Sequence, residues 1–172
     1  MGASNRPLFG VKMRCKLLQL ICFVALAATI AAAQDAKAAP AQPGAEYSGM
    51  YNFLRDGEFV QITVEDEGNV TGFISRFGDS ESDRGAFLDH FFKDGKLNTN
   101  KLSFSTKSVH GVWFEFHGTV DRGEGRSAGD EAYYVLKGTL TENAIDENKK
   151  TTSRSREVAL KSFPQDVSPA GR

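Results

Sequence analysis

The residues with the clearest potential for chemistry lie on one predicted strand. Glu115 and His117 stand two positions apart, and alternate residues of a strand emerge on the same face. A carboxylate and an imidazole at this spacing can supply two ligands of a metal ion. A third ligand would have to come from a neighbouring strand, and a solvated outer face is the favoured explanation of the pair. We therefore predict no metal site and no cofactor.

An acidic loop offers a second candidate site. Asp79, Glu81 and Asp83 alternate like the first ligands of a calcium-binding loop. In an EF-hand, glycine follows the third of these ligands and glutamate occupies the twelfth position. This chain has Arg84 and His90 there. The pattern excludes an EF-hand and leaves an acidic surface loop or a weak calcium site.

A glycine-rich segment, DRGEGRSAGDE at 121–131, is superficially like a phosphate-binding loop. Phosphate loops lead into a helix whose N-terminus faces the anion. Here the flanking segments both have strand patterns. The segment is therefore predicted to be a mobile hairpin loop, positioned to act as a lid over a barrel opening.

The inventory for catalysis is poor. The sequence has no Gly-x-Ser-x-Gly motif, and its two cysteines, Cys15 and Cys22, lie near the N-terminus. His90 follows Asp89 directly, and adjacent strand residues point to opposite faces. No nucleophile stands in a recognisable arrangement with a base. We predict that the protein is not an enzyme, with a hydrolase or isomerase on the same scaffold as a less favoured alternative.

The N-terminal region has the features of a secretory signal peptide. Residues 17–33 are almost entirely apolar, Arg14 and Lys16 precede them, and the run ends in three alanines at 31–33. A basic start, an apolar centre and a small-residue end are typical of a cleaved signal. We predict a signal peptide at 1–33, with Met1 or Met13 as its start, and a secreted or periplasmic protein. A transmembrane anchor is the alternative.

Composition divides the remaining chain into three parts. Residues 34–46 are rich in Ala, Pro and Gln and predict a flexible linker, and 164–172 predict a disordered tail. The folded domain is therefore expected at 47–163. The 172-residue chain has a formal net charge of −1, and loss of the basic signal would make it more acidic. We expect no nucleic-acid partner and, after signal cleavage, no membrane partner.

Strand patterns recur throughout the domain. The segment 59–65 alternates between apolar and polar residues, and so does 112–117, which indicates half-buried strands. Turn pairs such as Asp56-Gly57, Asp94-Gly95 and His110-Gly111 separate the strands. About eight strands joined by short turns predict an all-β, antiparallel up-and-down barrel, since closure removes the sheet edges. A two-sheet β-sandwich is the alternative.

The pattern resembles the calycins, the group that contains lipocalins and avidins. The resemblance rests on Gly49-Met50-Tyr51, where those families have Gly-x-Trp, and on DGEFVQITVEDEGNVTG at 56–72, which is similar to the second and third strands of an avidin-type barrel. GVWFEFHGTV and YYVLKGTL continue the similarity. The resemblance implies that Tyr51 closes one barrel end and packs against a basic residue of the last strand, Arg156 or Lys161.

The resemblance also implies a small, mostly apolar ligand inside the barrel. The residues expected to line that pocket or fill the core are Tyr51, Val60, Ile62, Phe73, Leu102, Phe104, Phe114, Phe116 and Leu136. It does not imply biotin, since avidin-type sites use several tryptophans and this chain has only Trp113. We therefore predict an exported, non-enzymatic binding module.

An alternative function is a structural or protein-interaction domain with a filled barrel. Such a domain would act through its outer face, by self-association or by binding a partner. Trp113, Tyr133 and Val135 are the candidates for an outward surface of this kind. Alternation alone leaves open whether Tyr133 and Val135 point outward or inward.

Overall fold

The computed structural model describes residues 42–79, 81, 83–146 and 148–165. The predicted signal peptide, most of the predicted linker and most of the predicted tail lie outside these residues. The eight strands are β1 (Gly49–Asn52), β2 (Phe59–Val64), β3 (Val70–Phe77), β4 (Phe87–Asn98), β5 (Lys101–Thr106), β6 (Val112–Arg122), β7 (Tyr134–Ile145) and β8 (Thr151–Lys161).

Each strand pairs in antiparallel fashion with the next, in the order β1 to β8. The sheet curls so that its two ends meet. Tyr51 of β1 forms a β-bridge with Ser162, just after β8. The Phe163 backbone N–H then donates a hydrogen bond of 2.8 Å to the Met50 carbonyl. The predicted all-β, up-and-down barrel is confirmed.

One predicted turn is wrong. Asp94-Gly95 was expected to end the fourth strand, but β4 continues through it to Asn98 with a β-bulge between Phe92 and Asp94. A Cβ at Gly95 would lie 2.3 Å from the Val70 carbonyl oxygen. This glycine therefore permits a close backbone approach rather than a reversal.

Strand alternation places one apolar face inside the barrel. Val60, Ile62 and Val64 of β2 are buried, as are Phe114 and Phe116 of β6. The phenyl rings interlock across strands, with Phe104 stacked on both Phe92 (4.3 Å between centroids) and Phe116 (5.3 Å). Burial of these large rings supplies much of the hydrophobic stabilisation of the fold.

The helical content of the described residues is limited to short turns. The two 3-10 turns are Ala45–Tyr47 and Asp66–Gly68. Among these residues, none of the helices has the length and apolar character required to cross a bilayer.

Candidate functional site

The two ends of the barrel differ in character. One end carries the loops that follow β1, β3, β5 and β7, and we call it the mouth. The other, the closed end, carries the loops that follow β2, β4 and β6. At the mouth the inward face changes from apolar to polar, and the inward residues there are Arg76, His90, Glu142, Arg154 and Arg156.

Strand register explains why these polar side chains point inward. Ile74 is paired with His90, Phe114 with Glu142, and Leu140 with Arg156. Paired residues of an antiparallel ladder share a face. Since the apolar member of each pair is buried in the core, its polar partner faces the barrel interior.

Glu58 joins the mouth loops to the barrel wall. This carboxylate is 1% exposed, and it accepts hydrogen bonds from the backbone N–H groups of Phe77 (3.0 Å) and Arg55 (3.1 Å). Its Oε1 also lies 3.2 Å from Nε of Arg55. Glu58 thereby holds the β1–β2 loop against the end of β3 with charge-assisted hydrogen bonds.

Arg76 is the most buried cation of the mouth. Its guanidinium carbon lies 5.7 Å from the centroid of the Phe114 ring. The guanidinium group forms an ion pair with the Asp79 carboxylate. Burial lowers the pKa of Arg76, and the Glu142 and Glu58 carboxylates oppose that effect. The guanidinium remains charged, because its ordinary pKa lies far above neutrality.

His90 is fully buried beside Arg76 and forms an edge-to-face contact of 5.1 Å with Phe114. Neither of its ring nitrogens has a hydrogen-bond partner. Burial, and then the Arg76 charge, lower its pKa to about 4. The carbonyl groups of Lys107 and Val112 oppose this shift without forming a hydrogen bond of normal geometry. His90 is therefore a neutral, unsatisfied polar group in the interior.

This histidine predicts acid sensitivity of the fold. In the unfolded chain its pKa is near 6.5, so between pH 6.5 and 4 the unfolded state binds a proton that the native state does not. The free energy of unfolding therefore decreases as the pH falls through this window, by up to about 3 kcal/mol. Urea denaturation measures the free energy of unfolding at pH 7 and at pH 5. The decrease from pH 7 to pH 5 should be smaller in His90→Gln than in the wild type.

His117→Gln is the matched control, because the His117 side chain is exposed on the outer face of β6. It should retain the wild-type decrease in unfolding free energy. An unchanged decrease in His90→Gln would contradict the burial of a neutral imidazole.

Most of the residues predicted to line a pocket or fill the core lie in the core. All but one are at most 2% exposed and contact other core residues: Tyr51, Val60, Ile62, Leu102, Phe104, Phe114, Phe116 and Leu136. Their role toward a ligand stays a prediction. The exception is Phe73, which lies on the outer face because it pairs with Gln61 and with the exposed Phe91.

Tyr51 points toward the closed end. Its hydroxyl donates a hydrogen bond of 2.7 Å to the Tyr47 carbonyl, and burial raises its pKa. The expected basic partner, Arg156, lies at the mouth and pairs with Glu142 at 3.2 Å. The backbone N–H of Lys161 donates a hydrogen bond of 2.5 Å to the Asn52 side-chain oxygen.

The remaining sequence candidates are separated or engaged elsewhere. Glu115 accepts a 3.3 Å hydrogen bond from the Trp113 indole. In the acidic loop, Asp79 pairs with two arginines, while Asp83 contacts His110 at 2.9 Å. Within the described part of the chain, no three His, Cys, Asp or Glu side chains form a metal-binding group.

The glycine-rich loop lies at the closed end, so it does not cover the mouth. Arg122 holds it, with its guanidinium 3.3 Å from the centre of the Tyr133 ring and a 2.9 Å hydrogen bond to the Tyr133 carbonyl. Val135 is buried under this loop. Val135 is therefore covered and does not contribute to an exposed surface, whereas Tyr133 is half-buried.

Comparison with solved structures identifies the architecture. The rhizavidin–biotin complex matches with a TM-score of 0.50 at 12% identity, over 67% of this chain and 99% of that chain. Rhizavidin matches with a TM-score of 0.52 at 12% identity, over 69% and 83%. Apo short afifavidin matches with a TM-score of 0.50 at 11% identity, over 67% and 95%. The fold is a calycin-like barrel of the avidin type.

At the level of sequence there is no comparable match. No protein-family model and no curated protein matches this chain. At 11–12% identity, the structural likeness establishes the fold alone. Function must therefore be argued from the mouth of this avidin-type barrel.

The polar lining of the mouth was missed at the level of sequence. The alternation of inward and outward residues along the strands could have revealed it. Arg76 stands two positions after Ile74, and Glu142 two after Leu140. Charged residues in step with a buried apolar series are the sequence mark of a polar barrel end.

Proposed function

We propose that the protein is an exported, non-enzymatic binding protein that takes a small ligand into the mouth of the barrel. The observation that carries the proposal is the inward polar cluster of Arg76, His90 and Glu142. Within this cluster, His90 is buried without a hydrogen-bond partner, and such a group costs stability. Apolar side chains at these positions would fill the barrel more favourably. A binding role gives a reason for their presence, and the predicted signal peptide supports export.

The lining indicates what the ligand carries. The core is filled by phenylalanine and aliphatic side chains, and Phe53, Arg76 and His90 pack against Phe114. A ligand would therefore contact the more exposed Glu142 and Arg156 rather than enter the core. The surrounding groups are three arginines, a glutamate and an imidazole. A small molecule with a hydrogen-bonding or anionic head group suits them better than the purely apolar ligand expected from sequence.

A thermal-shift screen tests the proposal. The panel contains short fatty acids, dicarboxylates, water-soluble vitamins and biotin. A ligand at 100 times its Kd adds about 2.7 kcal/mol of stability, which corresponds to a rise in Tm of about 6–10 °C for a domain of this size. We expect at least one panel member to produce such a rise.

Two variants locate the binding. Arg156→Met removes a cation that is 38% exposed at the mouth, whereas Lys137→Met removes one that is 54% exposed on the outer face. The ligand-induced rise should shrink in Arg156→Met and persist in Lys137→Met. Equal loss in both variants would contradict a site in the mouth.

Biotin is an informative member of the panel, because the rhizavidin comparison names it. We expect it to produce no shift. The single tryptophan, Trp113, lies on the outer face, where it is paired with Asn143 and hydrogen-bonded to Glu115. The barrel interior therefore lacks the tryptophan walls of avidin-type sites.

A second candidate function is a protein-interaction domain that uses its outer face. It is favoured by Phe87 and Phe91, which are 51% and 53% exposed on β4. Large aromatic side chains exposed on one face of a strand are typical of association surfaces.

A further inference from the structure

Five phenylalanines cover the outer face of β2, β3 and β4. We call this surface the phenylalanine patch, and its members are Phe59, Phe73, Phe77, Phe87 and Phe91. Their rings are in contact, with centroid separations of 5.8 Å for Phe59–Phe73, 5.5 Å for Phe73–Phe91 and 4.4 Å for Phe77–Phe87. The patch consists of two ring clusters on one face of the sheet, and the hydrogen-bonded Ser75–Asp89 pair lies between them.

The opposite side of the barrel is different. On the outer face of β7 and β8, cross-strand pairs are polar: Thr139–Glu157 at 2.6 Å, Thr141–Ser155 at 2.9 Å and Asn143–Ser153 at 2.6 Å. Such a hydrogen-bonded ladder suits contact with water. The aromatic composition is therefore specific to the β2–β4 side and calls for its own explanation.

We propose that a second copy of this chain covers the phenylalanine patch and forms a two-fold symmetric dimer. The area is appropriate for this occupant. Phe87 and Phe91 are each about half exposed, and a phenylalanine contributes about 150–250 Å². With the other three rings, each copy offers about 300–400 Å² of apolar surface, so a symmetric pair supplies the apolar core of an interface of standard size.

The charges beside the patch fit a copy of the same chain. Asp89 and Lys93 flank Phe91 on β4, and both are exposed. Ser75 donates a 2.7 Å hydrogen bond that fixes the Asp89 carboxylate. In a two-fold interface centred on Phe91, Asp89 of one copy faces Lys93 of the other, twice. A symmetric interface requires this kind of self-complementarity.

Sedimentation velocity over a range of protein concentrations tests the inference. The wild type is expected to be a dimer, and Phe91→Ser to weaken dimerisation at least tenfold. The control is Ile145→Ser, which removes an apolar side chain that is 46% exposed at the end of β7. It should leave the dimer intact.

Charge reversal distinguishes this interface from general stickiness. Asp89→Lys and Lys93→Asp should each weaken the dimer at least tenfold, and the double variant should restore it. A wild type that stays monomeric at about 100 µM would overturn the inference, and so would a double variant weaker than either single one. Circular dichroism checks that each variant is folded. The inference does not depend on a ligand in the mouth.

Discussion

Replacing Phe116 with alanine is expected to lower the free energy of unfolding by about 3–5 kcal/mol. The Phe116 side chain is 0% exposed and stacks on Phe104 near the middle of the barrel. Its removal leaves a cavity that the closed sheet cannot collapse to fill. Urea denaturation at pH 7, followed by tryptophan fluorescence or circular dichroism, measures the loss.

Phe91→Ala is the matched control for this prediction, because it deletes the same ring from the outer face. The Phe91 side chain is 53% exposed. In dilute protein, Phe91→Ala should therefore lower the free energy of unfolding by less than about 1 kcal/mol. Comparable losses at positions 91 and 116 would contradict the assignment of inner and outer faces.

Replacing Glu58 with alanine is expected to cost about 3 kcal/mol of stability. The carboxylate satisfies the backbone N–H groups of Phe77 and Arg55 and pairs with the Arg55 side chain. Without it, two backbone donors lose their partner, at about 1–3 kcal/mol for each donor left unsatisfied by water. The midpoint of urea denaturation reports the change.

Glu157→Ala provides the comparison for Glu58. Glu157 also accepts a hydrogen bond, 2.6 Å from the Thr139 hydroxyl, but on the exposed outer face of β8. Water replaces that bond, so the expected loss is below about 0.5 kcal/mol. If Glu58→Ala is equally mild, the carboxylate does not anchor the mouth loop.

The barrel could be predicted from sequence because strand periodicity and turn chemistry are local. Alternation over 59–65 identified the buried face of β2, and His110-Gly111 forms the expected tight turn, with φ of 50° and 81°. Both features depend only on neighbouring residues. The number and order of strands followed from them.

The features missed by sequence depend on contacts between distant segments. Gly95 was taken for a turn because the Val70 carbonyl that approaches it is 25 positions away. Phe73 was placed among the pocket or core residues, whereas Ile74 holds the inward position and Phe73 packs on Phe59 and Phe91. The polar mouth forms only when β3, β4, β7 and β8 are brought into register.

Native mass spectrometry of the protein isolated from its own source tests the binding proposal most directly. We predict a folded species that carries the mass of one small molecule per chain, reduced in Arg156→Met and retained in Lys137→Met. A bare polypeptide mass in every preparation, together with no change in Tm across the ligand panel, would contradict the proposal that the mouth of this barrel is a ligand site.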